Sequence, residues 1–181
     1  MRYQQRNLLT IVISPLQALM KDQVDNCAKQ TGTKLAVALY GMLTMPERGE
    51  VMDGVRLGDV GILFVSPEQL RNHSLIQAIR QREIGAWVFD EAHCLSKWGH
   101  DFRPSYLEIG ELKNVFPKVP FLALTASATK EVTLEIQERL KLRDGIIFRD
   151  SFARKNLHYH VIHRQDQLAY IERLLIKAKG S

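Results

Sequence analysis

The stretch "AWVFDEAHCLSKWGHDFRPSY", residues 86–106, decides the fold. Residues 86–89 form an unbroken apolar run that ends in two adjacent acids, Asp90 and Glu91, followed by Ala92 and His93. A run apolar on both faces is what a parallel strand buried between two helix layers requires. Charge at the carboxyl end of such a strand lies where open α/β sheets bind their ligands. The loop over 96–104 then gathers Lys97, Trp98, His100, Phe102 and Arg103 into a few positions. A simple connection has no use for that much chemistry.

Outward from this stretch, short apolar runs alternate with helical periods. Runs at 8–14, 35–39, 60–66, 121–127 and 145–150 read as further strands. Between them, Leu16, Met20, Val24 and Cys27 recur at helical spacing, with Cys27 expected to pack in a core. Thr44 and Glu47 have the spacing of a capping box opening a helix. Helices are predicted over 67–81, around 105–114 and over 129–142. Alternation of this kind gives an α/β domain with a mainly parallel sheet flanked by helices. Near residue 150 the pattern changes to one predicted strand (156–163) and one amphipathic helix (165–178), whose Leu168, Ile171, Leu174 and Leu175 share a face.

The 181 residues are 45% hydrophobic, enough for one full domain and part of another. No apolar run approaches the ~20 residues of a membrane helix, and the N-terminus lacks the pattern of a secretory signal, so an intracellular protein without membrane partners is expected. The net charge of +5 favours polyanionic partners, though only weakly. Two cysteines without a C-x-x-C spacing indicate neither a disulfide framework nor a zinc site. His158 and His160 lie two apart, a pattern far more common on surfaces than at metals, so no protein-ligated metal is assigned.

Four groups fall at the carboxyl ends of predicted strands: Ser14-Pro15, Ser66-Pro67, Asp90-Glu91-Ala92-His93 and Thr125 to Thr129. An Asp at a buried strand end can hold Mg²⁺ against nucleotide phosphates, and a neighbouring Glu can orient and deprotonate a water. The same acids could merely turn the chain, and Asp-Glu alone favours that reading. The Ala-His that follows favours chemistry. Ser-Pro pairs suit helix starts, with the serine as cap. Trp98 and Phe102 are equally consistent with core anchors or with flat faces for unpaired bases, while Lys97 and Arg103 offer charge to a phosphate backbone and Gly99 gives the loop backbone freedom to move. Their clustering beside the acid pair points to a loop that senses nucleic acid.

These residues resemble a known family. "VFDEAHCLSKWGHDFRPSY" is similar to the DEAH box and aromatic-rich loop of RecQ DNA helicases of superfamily 2. Residues 12–24 resemble that family's motif Ia, 63–70 its motif Ib, 123–129 its motif III, and 150–161 its crossing into a second RecA-like domain. The resemblance implies an incomplete first RecA-like domain over 1–149, then a linker and the start of a second over 150–181. It implies a 3′-to-5′ ATP-dependent DNA unwinding enzyme that uses ATP and Mg²⁺ on single-stranded and partly duplex DNA. By that resemblance Asp90 holds Mg²⁺ through water, Glu91 activates water, and His93 contacts the segment Ser127–Thr129. Trp98, His100, Phe102 and Arg103 couple DNA binding to hydrolysis, and Ser14, Lys21 and Ser66 line the DNA path. Lys97 stands where Gln is usual, and motif III reads TASAT where TATA is commoner.

A helicase of this class also needs a phosphate-cradling G-x-x-x-x-G-K-[ST] loop or a close relative. None of the eleven glycines is followed by lysine, and only nine residues precede Thr10 in the first strand. The expectation is therefore a partial chain that hydrolyses no ATP alone and associates through exposed fragment edges. The alternatives are a truncated module binding single-stranded DNA or protein without hydrolysis, and a different superfamily 2 ATPase, against which the W-G-H-D-F-R-P loop argues.

Overall fold

The computed structural model describes residues 7–99, 101–142, 145–150, 156–157, 161 and 167–178. His100, His158 and His160 lie outside the described residues, as do positions 158–160 and 162–163 of the strand expected over 156–163. The chain divides into two compact units, Met1–Gly145 and Ile146–Ser181.

The first unit is a five-stranded sheet of β1 (Leu9–Ile13), β2 (Ala36–Leu39), β3 (Ile62–Val65), β4 (Ile84–Phe89) and β5 (Phe121–Ala123). Its spatial order is β2-β3-β1-β4-β5, and every pairing is parallel. Central β1 buries Leu9, Ile11 and Ile13 completely and leaves Thr10 only 8% exposed, which explains its continuous apolar run. Among the described residues of this unit, five α-helices form: α1 (Gln17–Thr31), α2 (Met45–Leu57), α3 (His73–Arg80), α4 (Leu112–Val115) and α5 (Lys130–Arg139). The core packs one sheet face, carried by Ile11, Ile13, Leu63, Val65, Trp87 and Phe89, against α2, α3 and α5 through Val55, Leu75, Ile79 and Ile136. Among the described residues, no helix is long and apolar enough to cross a membrane.

The capping box at the start of α2 is present in full: the Thr44 hydroxyl accepts from Glu47 N, and the Glu47 carboxylate accepts from Thr44 N at 2.8 Å. Elsewhere the local readings need correction. The helix expected over 67–81 is two pieces, a 3₁₀ turn Pro67–Arg71 and α3. Asn72 separates them in extended backbone and uses its side chain to cap α3 from Ser74 N at 3.1 Å. The helix expected around 105–114 is a 3₁₀ segment Pro104–Glu111 running into the single turn of α4. Gly110 disfavours a regular α-helix there, whereas Pro104 at the first position is compatible with a helix start. On α1, Met20 is fully buried, but Leu16 is 43% exposed and Cys27 is only half-buried.

Residues 145–150, at the junction of the two units, form no strand, and Ile146 and Phe148 are largely exposed. An apolar run becomes a strand only where a neighbour completes its hydrogen bonds, and no ladder pairs this one among the described residues. Helix α6 (Gln167–Ala178) forms as its spacing predicts, with Leu168, Ile171, Leu174 and Leu175 all exposed.

Candidate functional site

Because every strand points the same way, the four strand-end motifs rise on one edge of the sheet. The ladder carries them there: Ser14 N donates to Val65 O, Asp90 N to Ile13 O, and Leu124 N to Phe89 O. Ser14, Ser66, Asp90 and Leu124 therefore stand side by side. Above them lies a cleft of about 300 Å³ bordered by Pro15, Glu91, His93, Cys94, Asp101 and Ser127.

The acid pair is held from several sides. Asp90 Oδ2 lies 3.3 Å from the Ser14 hydroxyl, which donates to it, and Oδ1 accepts from Glu91 N at 3.0 Å. Glu91 itself is in the left-handed region at φ 47 and ψ 46. That conformation costs a non-glycine residue about 1–2 kcal/mol. It persists because the flanking backbone is tied down: Ala92 N donates to Leu124 O and Cys94 N to Glu91 O. The turn aims the Glu91 carboxylate back at His93, whose buried Nδ1 lies 3.2 Å from Oε2. The same nitrogen lies 3.1 Å from Thr125 Oγ1. His93 thus touches motif III at Thr125, two residues short of the segment expected. Ser127 is exposed, and its backbone N–H donates to Thr125 Oγ1. Thr129 caps α5, accepting from Val132 N at 3.3 Å.

Ser14 and Ser66 are not helix caps in the sense expected. Neither side chain makes a capping hydrogen bond, and they are 2% and 4% exposed. Ser14 is committed to Asp90 instead, and two hydroxyls so deeply enclosed offer little to a DNA backbone. Lys21 is exposed on α1.

The aromatic loop divides into two kinds of residue. Trp98 is 81% exposed at the apex, as a stacking face must be. Phe102 is half-buried, with the Arg139 guanidinium 6.0 Å from its ring centre. Arg103 is engaged within the protein: it donates twice to Asp101 Oδ2, at 3.2 and 3.0 Å, and once to Pro15 O at 3.0 Å. The hydrogen bond from Arg103 is the main reason that the Asp101 carboxyl titrates below its ordinary value. Beneath them, burial first and then the Asp101 charge push the Cys94 thiol up to about 11. Tyr106 is fully buried and sits below Asp90, its hydroxyl 3.5 Å from Asp90 O, with its pKa raised chiefly by burial. Gly99 is a packing requirement rather than a source of freedom: a Cβ there would stand 2.3 Å from His93 O.

One residue escaped the sequence reading altogether. Glu135, on the second turn of α5, accepts from the Ser96 hydroxyl at 2.5 Å and from Lys97 N at 3.0 Å. Arg139 neutralises it from one turn further on, at 2.6 Å. Only its place on the helix after motif III could have signalled it, since Ser96 is 39 residues away.

Residues 2–135 match the DEAD/DEAH box helicase family. The chain belongs to that family. Among its relatives are the ATP-dependent DNA helicase RecQ of Pasteurella multocida, 37% identical over 172 residues, and the probable ATP-dependent DNA helicase RecS of Bacillus subtilis, 36% identical over 167. These alignments cover 95% and 92% of this chain but 27% and 33% of the relatives. The RecQ-like DNA helicase BLM of Xenopus laevis is 39% identical over 165 residues, 87% of this chain and 12% of that one. The DEAD/DEAH box chain therefore carries a RecQ-type sequence and spans between about a tenth and a third of these relatives. The helicase domain of Pyrococcus furiosus Hef shares its fold, with a TM-score of 0.55 and 21% identity, covering 77% of this chain and 28% of that one. The α/β RecA-like architecture expected from the sequence is the architecture observed.

Proposed function

We propose that this chain is part of an ATP-dependent 3′-to-5′ DNA helicase of RecQ type, acting inside the cell on single-stranded and partly duplex DNA. The observation that carries the reading is a single sheet edge holding the Asp90–Glu91–His93 cluster and, beside it, a loop whose Trp98 is 81% exposed. Residues 1–149 would serve as the first RecA-like domain and 150–181 as the approach to a second.

The oxygens of Asp90 and Ser14 are hard donors of the type Mg²⁺ takes, so Asp90 is the residue to hold the ion through water. When bound, the ion would neutralise phosphate charge. Glu91 would orient and deprotonate the attacking water, its carboxylate steered by the left-handed backbone and by His93. His93, through Thr125, would pass the state of the nucleotide site to motif III. Trp98 and Phe102 would stack unpaired bases, with Lys21 and Lys97 meeting phosphates. Arg103 would act by holding the loop to Pro15, and His100 belongs to the same loop.

In the full-length gene product, ATP turnover stimulated by single-stranded DNA is expected, and Glu91→Gln should abolish it while nucleotide binding survives. Stimulated turnover that persists in Glu91→Gln would refute the assignment. The 181 residues alone hold no Gly-Lys-Ser or Gly-Lys-Thr to cradle phosphates, so no stimulated turnover is expected from them.

A second reading, a module that binds single-stranded DNA without hydrolysis, is favoured by the same exposed Trp98. It predicts salt-dependent binding by the 181-residue chain with no ATP present. The sheet edge at β5, where Leu122 and Leu124 are about half exposed, also supports self-association, which light scattering after size exclusion would detect.

A further inference from the structure

We infer that Glu135 is a positioning residue that sets the aromatic loop for strand capture, by clamping the Ser96–Lys97 turn onto helix α5. The inference deepens the proposed function and rests on its reading of the loop as the DNA contact.

The loop is fastened at both ends and free at its apex. At its far end, Arg103 is tied to Pro15 O and Asp101. At its near end, Ser96 is wholly buried and its hydroxyl donates to Glu135 Oε2, an oxygen that also accepts from Lys97 N. Trp98 N in turn donates to Ser96 Oγ at 3.1 Å, so the backbone that carries the exposed indole hangs from this one carboxylate. Arg139 grips the other Glu135 oxygen through Nε at 2.9 Å and Nη2 at 2.6 Å. Its guanidinium also lies 6.0 Å from the Phe102 ring, so both aromatic residues are reached from one helix.

That helix is itself firmly placed. It starts at Thr129, immediately after motif III, and its end packs so closely on the 104–111 segment that a Cβ on Gly110 would stand 2.4 Å from Arg139 O. Motif III touches His93 through Thr125. A single rigid element therefore joins the segment beside the nucleotide site to the turn that presents Trp98. A serine hydroxyl and a backbone N–H sharing one ionised carboxylate make charge-assisted hydrogen bonds, roughly twice as strong as neutral ones.

The test uses the full chain and two readouts. Site-resolved hydrogen exchange follows the Lys97 and Trp98 amides, with Val88 and Phe89 of β4 as the reference for global opening. Fluorescence anisotropy follows binding of a labelled oligothymidylate. Glu135→Ala should speed Lys97 exchange by roughly tenfold, leave β4 unchanged and weaken oligothymidylate binding by several-fold. Ser96→Ala removes, with minimal change in volume, the hydroxyl that donates to Glu135 and accepts from Trp98 N, so it should speed Trp98 exchange while Lys97 N keeps its own bond to Glu135. Unchanged Lys97 exchange in Glu135→Ala, or unchanged Trp98 exchange in Ser96→Ala, would overturn the clamp. Acceleration of Trp98 together with β4 in Ser96→Ala would reduce it to general stability. Faster Lys97 exchange with unaltered oligothymidylate affinity would overturn the role in strand capture. Wild-type chain that binds no oligothymidylate would sink the underlying reading of the loop, while Lys97 exchange would still decide the clamp.

Discussion

The Ser14 hydroxyl reaches Oδ2 of Asp90 at 3.3 Å, joining the ends of β1 and β4 across 76 residues of sequence. Ser14 is 2% exposed, so this bond forms away from bulk water. Ser14→Ala should lower stability by about 1 kcal/mol. A urea titration should show a reduced midpoint with an unchanged slope. An unchanged midpoint would mean that Asp90 finds an equal partner elsewhere.

The two tryptophans should behave oppositely. Trp87 is fully buried against Phe116, with ring centres 5.4 Å apart, whereas Trp98 is 81% exposed. Trp87→Ala should cost about 3–5 kcal/mol of stability. Trp98→Ala should change stability by no more than about 0.5 kcal/mol. In binding the order reverses, and Trp98→Ala should weaken single-stranded DNA by about 1–3 kcal/mol. Thermal melts and anisotropy titrations on the same samples check both halves.

Acid should act through Glu135. Burial pushes its carboxyl up, but hydrogen bonds from Ser96, Arg139 and Lys97 N outweigh it and hold the group below its ordinary value of 4.5. A group lowered in the folded state adds stability that is present above its unfolded value and lost as pH falls through the folded one. Stability should therefore decline as pH drops below about 4.5, and Glu135→Gln should flatten that decline. Urea midpoints measured across the acid range would reveal it, and parallel curves for the two proteins would contradict it.

Cys94 is fully buried, and its thiol is pushed up to about 11, whereas Cys27 is half-buried on α1. A thiolate-seeking reagent near pH 8 should titrate one thiol in the folded protein and two after denaturation. Mass spectrometry should place the early label on Cys27. Early labelling of Cys94 would show that the floor of the cleft opens readily.

Much of this protein was legible from local pattern. Strands 8–14 and 86–89 announced themselves as nearly unbroken apolar runs because strands in the middle of a parallel sheet leave little surface to water, and β1 keeps even Thr10 at 8% exposure. The capping box of Thr44 and Glu47 was equally plain, since both partners lie within one turn. The edge carrying Asp90 and Glu91 followed from strand direction alone, because parallel strands must all end on one side. Lone apolar runs were less trustworthy: residues 145–150 resemble a strand in composition, yet pairing decides whether a strand exists.

What tertiary structure alone decided is which partners meet. Ser14 reads as a cap beside Pro15, but the neighbouring strand brings Asp90 to it. Gly99 reads as a flexible joint, but the chain folds back until it lies against His93 O. Arg103 reads as a free cation, but it is spent on Pro15 O and Asp101. Glu135 reads as one more charge on an amphipathic helix, but it holds a turn 39 residues away. Sequence periodicity encodes which face of an element is buried; contacts between distant segments depend on how whole elements pack, and no local spacing carries that information.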